Sequence, residues 1–132
     1  MVGLSANVDV THNVTFTTPL NLTRYSSGTA ISYDRGTSRF TIPHTGLWSI
    51  GFQLSWTAVT SKWNRILMII VTSFGSFRVD YTKPAGWQGT TQQNIMLPFT
   101  QNNWLAAQTL QNQGNTQAID ASPTFITLTY LG

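Results

Sequence analysis

Acid–base side chains are few in this sequence, and they stand apart from one another. Two histidines occur, His12 and His44, and neither has a motif partner. There is no glutamate, and the carboxylates are those of Asp9, Asp34, Asp80 and Asp120. They lie in separate segments, so the fold would have to assemble any pair able to hydrolyse a glycosidic bond. We therefore expect a protein that is not an enzyme.

Metal and cofactor motifs are also missing from the sequence. It has no cysteine, no histidine spacing of the zinc type and no acidic loop of the calcium type. The Lys and Arg residues give a formal net charge of +3, but they are scattered singly and form no basic arm. We expect no metal, no cofactor and no nucleic-acid partner.

Aromatic rings among polar turn residues offer a different chemistry, that of binding. Trp63 lies in a polar loop at 60–64, and Trp87 lies in a second loop at 83–89. Such rings stack on the apolar face of a sugar or anchor a protein interface; alternatively, each folds back to cap the end of the fold. The candidate ligand-binding residues are Trp63, Tyr81, Lys83, Trp87 and Gln88.

Short strands must position these loops. Residues 47–56 alternate between large apolar and small or polar side chains, which predicts a strand with one buried face. Its predicted core stripe consists of Trp48, Ile50, Phe52, Leu54 and Trp56. Residues 66–71 are apolar without alternation, which is typical of a strand covered on both faces. Its candidates for the core or for a subunit interface are Ile66, Met68 and Ile70.

Further strands are predicted at 13–17, 39–42, 74–81, 93–99, 104–111 and 124–131, although 104–111 would also suit one or two helical turns. Gly-, Pro- and Asn-rich turns separate them. This spacing predicts an all-β jelly-roll sandwich of about eight to ten short antiparallel strands, forming one domain over residues 1–132. Only 8% of the residues are charged, and the apolar run at 66–71 is too short to span a bilayer. Residues 1–5 lack the basic flank and the long apolar run of a secretory signal.

One segment carries a family signature. The spacing Tyr33-x6-Phe40-x5-Gly46-x-Trp48-x-Ile50-x-Phe52 resembles that of the complement C1q globular domain, which shares its jelly roll with tumour necrosis factor ligands. Trp48 stands for the usual Tyr and Ile50 for the usual Phe. The amino-acid sequence of residues 33–56 is similar to that of divergent versions of this domain in phage tail and bacterial surface proteins. Residues 125–132 look like the closing strand of those domains, which lies centrally in the inner sheet.

The resemblance implies a homotrimer packed through one sheet and a protein that binds proteins or glycans. We expect a bacteriophage virion-surface protein associated with the tail that recognises a host receptor or surface glycan. The alternatives are a capsid decoration or other structural virion protein, whose partners are other virion proteins, and a secreted bacterial adhesion module. A chain that starts at Met1 without a stalk favours the structural alternative, unless it is an excised domain. In each case the expected location is extracellular, without membrane insertion.

Overall fold

The described part of the chain is built from β-strands. The computed structural model describes residues 2–3, 8–10, 16–17, 22–23, 31–56, 64–84, 87–111 and 117–132. Within these ranges no helix occurs, and hence none that could cross a membrane. The segment 104–111 is a strand and not a pair of helical turns. The all-β class is confirmed.

The described residues form twelve strands, numbered here in chain order. They are β1 (Val2–Gly3), β2 (Val8–Val10), β3 (Phe16–Thr17), β4 (Leu22–Thr23), β5 (Ser32–Asp34), β6 (Arg39–Thr41), β7 (Gly46–Trp56), β8 (Asn64–Thr72), β9 (Gly75–Lys83), β10 (Gly89–Phe99), β11 (Trp104–Gln111) and β12 (Gln117–Tyr130). The number exceeds the predicted eight to ten because of short strands of two or three residues, too short to show an alternation in the sequence. Of the strand predicted at 13–17, residues 13–15 lie outside the described residues.

Two antiparallel sheets face each other. The β7 sheet has the order β10-β7-β12-β1-β4, with β2 also paired to β12. The β8 sheet has the order β5-β6-β11-β8-β9, with β3 also paired to β11. The chain crosses between the sheets after β2, β3, β4, β6, β7, β9, β10 and β11, which is the connectivity of a jelly roll. The closing strand β12 lies centrally in its sheet, as the resemblance implies.

The space between the sheets is filled by large side chains from both. Along β7 the residues of the alternating stripe are all buried, with relative exposures from 0% to 3%; they are Trp48, Ile50, Phe52, Leu54 and Trp56. Across from them, β8 contributes Ile66, Met68 and Ile70, each at 0% exposure. These three therefore belong to the core of a single chain. On the opposite side of β8, Ile69 and Val71 are half-buried.

The residues of the signature have identifiable packing roles. Tyr33 and Phe40 are cross-strand partners on β5 and β6, and their ring centroids are 4.4 Å apart. The Trp48 indole donates a hydrogen bond to the His44 carbonyl oxygen at 3.0 Å. Gly46 has a φ of 153°, and a Cβ there would lie 2.6 Å from Cε2 of Tyr130. Only glycine fits at this entry into β7.

Candidate functional site

The connection between β9 and β10 brings several candidate residues to one end of the sandwich. Tyr81 and Lys83 close β9, while Trp87 and Gln88 immediately precede β10. The Trp87 N–H donates to the Pro84 carbonyl oxygen at 3.2 Å, which closes the turn. Because side chains two apart on a strand share a face, Tyr81 and Lys83 lie on the same side of β9. Trp63 lies outside the described residues.

The lysine ammonium is held against two aromatic rings. Lys83 Nζ lies 4.7 Å from the centroid of the Trp87 ring and 5.2 Å from that of the Tyr81 ring. Both distances are within the roughly 6 Å over which a ring quadrupole attracts a cation appreciably. All three side chains are half-buried, whereas Gln88 is exposed. We call Tyr81, Lys83 and Trp87 the Lys83 cluster.

Both rings of the Lys83 cluster are fixed by contacts of their own. The Tyr81 hydroxyl donates to the carbonyl oxygen of Gln92 and accepts from its N–H, which lies 3.3 Å away. Trp87 lies over Gly89, where a Cβ would come 3.1 Å from the indole Cζ2. Both rings also pack against the edge of the core. Trp87 therefore does fold back onto the sandwich, yet it stays half-exposed and keeps its contact with the ammonium.

The seam between β9 and β10 contains a second polar contact. Gln93 faces the core at 7% exposure, and its Nε2 donates to the Phe77 carbonyl oxygen of β9 at 2.9 Å. Its Oε1 is buried and has no hydrogen-bond partner. Buried polar atoms are normally hydrogen-bonded, so a bound water is the expected partner of this oxygen. Together with Tyr81, Gln93 ties the edge strands of the two sheets to each other.

Charge is distributed very unevenly between the sheets. Seven charged residues, all with described side chains, belong to the β8 sheet or its turns; they are Asp34, Arg35, Arg39, Arg65, Arg78, Asp80 and Lys83. The described strands of the β7 sheet contain two charged residues, Asp9 on β2 and Asp120 on β12. Arg65 and Asp80 form an ion pair at 3.0 Å, the one seen among the described residues, and both side chains are substantially exposed. No group of three or more potential metal ligands occurs there either.

The outward surface formed by β10, β7 and residues 124–130 of β12 carries no charged residue. Gly51 lies at its centre between Thr127 and Asn94, since a Cβ on Gly51 would come 2.7 Å from Thr127 Oγ1 and 3.2 Å from Asn94 Oδ1. Exposed apolar side chains lie toward one end, namely Leu47 (38% exposed), Met96 (64%) and Leu131 (50%). We call this surface the neutral face.

One aromatic contact was not anticipated from the sequence. The Arg39 guanidinium carbon lies 3.8 Å from the centroid of the Trp104 ring. Trp104 is half-buried at the start of β11, next to β6, and the backbone N–H of Trp104 donates to the Ser73 hydroxyl. The two residues are 65 positions apart in the chain. Only the pairing of β6 with β11 brings them together, so no local signal marks this pair.

The two facing sheets and their connectivity are those of the jelly-roll fold that tumour necrosis factor and C1q globular domains share. The resemblance seen in the sequence is therefore confirmed at the level of fold. Among solved structures, Eiger TNF from S. frugiperda aligns with a TM-score of 0.67 at 14% identity, covering 99% of this chain and 89% of that one. The globular domain of the zebrafish complement 1qA protein aligns with a TM-score of 0.55 at 12% identity, covering 97% and 98%. No protein-family model and no curated protein matches the chain.

Proposed function

We propose that this chain is a non-enzymatic homotrimeric module on the surface of a bacteriophage particle, and that it binds the host surface through the Lys83 cluster. The observation that carries the proposal is the contact of the Lys83 ammonium with the rings of both Tyr81 and Trp87. Fixed aromatic rings with one polar group between them are typical of recognition sites. Loops on a rigid sandwich commonly carry such sites.

Two of the four carboxylates have described side chains, and both are engaged away from the Lys83 cluster. Asp34 accepts the N–H of Gly36 at 2.8 Å within the β5–β6 turn. Asp80 pairs with Arg65 on the outward side of the β8 sheet. In neither case is the bonding partner a residue of the Lys83 cluster. Their arrangement supports binding over general acid–base catalysis at this end of the sandwich.

The neutral face supports self-association. A solvent-facing sheet surface normally carries charged residues, whereas this one presents Ser, Thr and Asn side chains around Gly51, beside the exposed Leu47, Met96 and Leu131. Depletion of charge and exposure of apolar side chains are features of subunit interfaces. A trimer joined through the neutral face would leave the charged β8 sheet outward, and three weak sites would act together through avidity.

The placement on a phage particle is supported by the similarity of residues 33–56 and 125–132 to the versions in phage tail proteins. A tail location corresponds to host recognition, and a capsid location corresponds to a decoration protein. A secreted bacterial adhesion module would use the same binding end. The outcomes of one adsorption experiment separate recognition from decoration.

The test replaces Trp87 by Ala in the full chain and measures adsorption to host cells. We expect affinity to fall by about tenfold or more, because a central aromatic contact is typically worth 2 kcal/mol or above. Trp104→Ala is the matched control, since Trp104 is also half-buried beneath a cation but lies at the opposite end of the β8 sheet. Trp63→Ala examines the other predicted loop residue in the same assay.

Circular dichroism and light scattering must show that each variant keeps its fold and mass. Equal losses in Trp87→Ala and Trp104→Ala would contradict a localised site. Unchanged adsorption in Trp87→Ala would remove the Lys83 cluster from host binding. If the unmodified protein does not adsorb to host cells but binds purified capsids, the decoration function replaces recognition.

A further inference from the structure

We infer that the Lys83 cluster takes an acidic saccharide, a sugar polymer carrying carboxylate or phosphate groups, and that Lys83 binds the anionic group. The inference rests on the proposed function, because it names the ligand class of the same site. It starts from the charge of the ammonium. Lys83 forms no ion pair with Asp34 or Asp80, the carboxylates whose side chains the structure describes, and Asp80 on the same strand is engaged by Arg65.

The ammonium is positioned in advance of binding. The rings beneath it are fixed, Tyr81 by its two bonds to Gln92 and Trp87 by its contact with Gly89. A ring face attracts a cation but satisfies none of its N–H donors, so the ammonium keeps hydrogen bonds to offer. An anionic oxygen is the strongest acceptor for such donors. The two ring contacts restrict the lysine side chain before a ligand binds, which lowers the conformational entropy lost on binding.

The surroundings favour a saccharide over a simple anion. The Tyr81 and Trp87 rings offer apolar surface beside the charge, which suits the C–H face of a sugar ring. A ligand with an anionic group beside an apolar face would use both features.

The charge of the whole sheet would guide such a ligand to the site. The β8 sheet and its turns carry five cations and two carboxylates in the residues described, whereas the neutral face carries no charged side chain there. An excess of one sign raises the local concentration of oppositely charged ligands, and added salt screens the effect. The binding of an acidic polymer is therefore expected to weaken as the salt concentration rises.

The experiment measures binding of the full chain to immobilised polygalacturonate and to its carboxyl-reduced form. A second pair, phosphorylated dextran and plain dextran, distinguishes phosphate from carboxylate as the anionic group. We expect at least one acidic polymer to bind, its neutral counterpart to bind about tenfold more weakly or less, and Lys83→Gln to lose about tenfold in affinity, as loss of a charge-assisted hydrogen bond predicts. Lys83→Arg should retain most of the binding.

Arg78→Gln is the matched control. It removes the same charge from the same strand, but Arg78 lies on the outward side of β9, away from Tyr81 and Lys83. The inference is overturned if Arg78→Gln weakens binding as much as Lys83→Gln does, if neutral and acidic polymers bind alike, or if no polymer binds. Failure of this inference alone would leave host adsorption sensitive to Trp87→Ala; failure of the proposed function would remove that sensitivity as well.

Discussion

At the scale of single residues, Gly46 is a position at which the fold accepts only glycine. Its φ of 153° and the 2.6 Å approach of Tyr130 to a hypothetical Cβ leave no room for a side chain. We expect Gly46→Ala to lower the free energy of unfolding by about 1–3 kcal/mol, the usual cost of a strained backbone position. Urea denaturation measures the change.

The control for this substitution is Gly75→Ala at the start of β9. The nearest atom to a Cβ at Gly75 is 3.8 Å away, an ordinary contact distance. This variant should unfold at nearly the wild-type urea concentration. If the two variants lose equal stability, the close approach of Tyr130 is not what requires glycine at position 46.

At the scale of the strand, β8 is the element whose role changes most between sequence and structure. Its Ile66, Met68 and Ile70 are fully buried within one chain. We expect Ile70→Asp to abolish folding, because an unpaired charge in the core costs several kcal/mol, comparable with the whole stability of a small domain. Circular dichroism and the dispersion of an amide NMR spectrum report the loss.

Ile69→Asp, one residue earlier on the same strand, is the control. Ile69 is half-buried on the opposite side of β8, so the new carboxylate can reach water and the chain should still fold. A folded but dissociated Ile70→Asp protein would instead place Ile70 at a contact between subunits, which is the alternative that the sequence left open.

The strand β12 shows how an element can be longer than its sequence pattern suggests. The prediction began at residue 124, whereas the strand runs over Gln117–Tyr130 with a shift in its pairing to β7 between Asp120 and Phe125. Pro123 lies inside this interval and cannot donate to the ladder. The Thr124 hydroxyl accepts the Ser55 N–H at 2.9 Å, which replaces one of the missing bonds.

At the scale of the whole molecule, the absence of charge on the neutral face predicts how copies associate. We expect the wild-type protein to have a trimer mass by light scattering at micromolar concentration. Met96→Asp should shift it toward a folded monomer, because Met96 is 64% exposed on the neutral face and a carboxylate there would be buried, without a partner, in the trimer.

Thr82→Asp is the control for association. Thr82 is exposed on β9 of the β8 sheet, which the proposed trimer leaves in contact with solvent. That variant should keep the trimer mass. A monomer mass for the wild-type protein, or dissociation by Thr82→Asp but not by Met96→Asp, would contradict association through the neutral face.

The sequence by itself determined the fold class and the composition of the core stripe. Alternation at 47–56 is a local property with a period of two, so it predicted which side chains turn inward, and all five are buried. The proximity of Tyr81, Lys83 and Trp87 was also predictable, since these residues lie within seven positions of one another around a turn. Their assignment to a loop was wrong for Tyr81 and Lys83, which lie on β9.

Only the tertiary structure decided which contacts these elements make. The apolar run of β8 has no alternation, so its sequence could not tell a core side from a subunit interface; packing against β7 settled that Ile66, Met68 and Ile70 face the core. The pairing of Arg39 with Trp104 and the anchoring of Tyr81 on Gln92 depend on strands that meet across the sandwich. Such contacts arise from strand order and register, which are properties of the whole chain and not of any one segment.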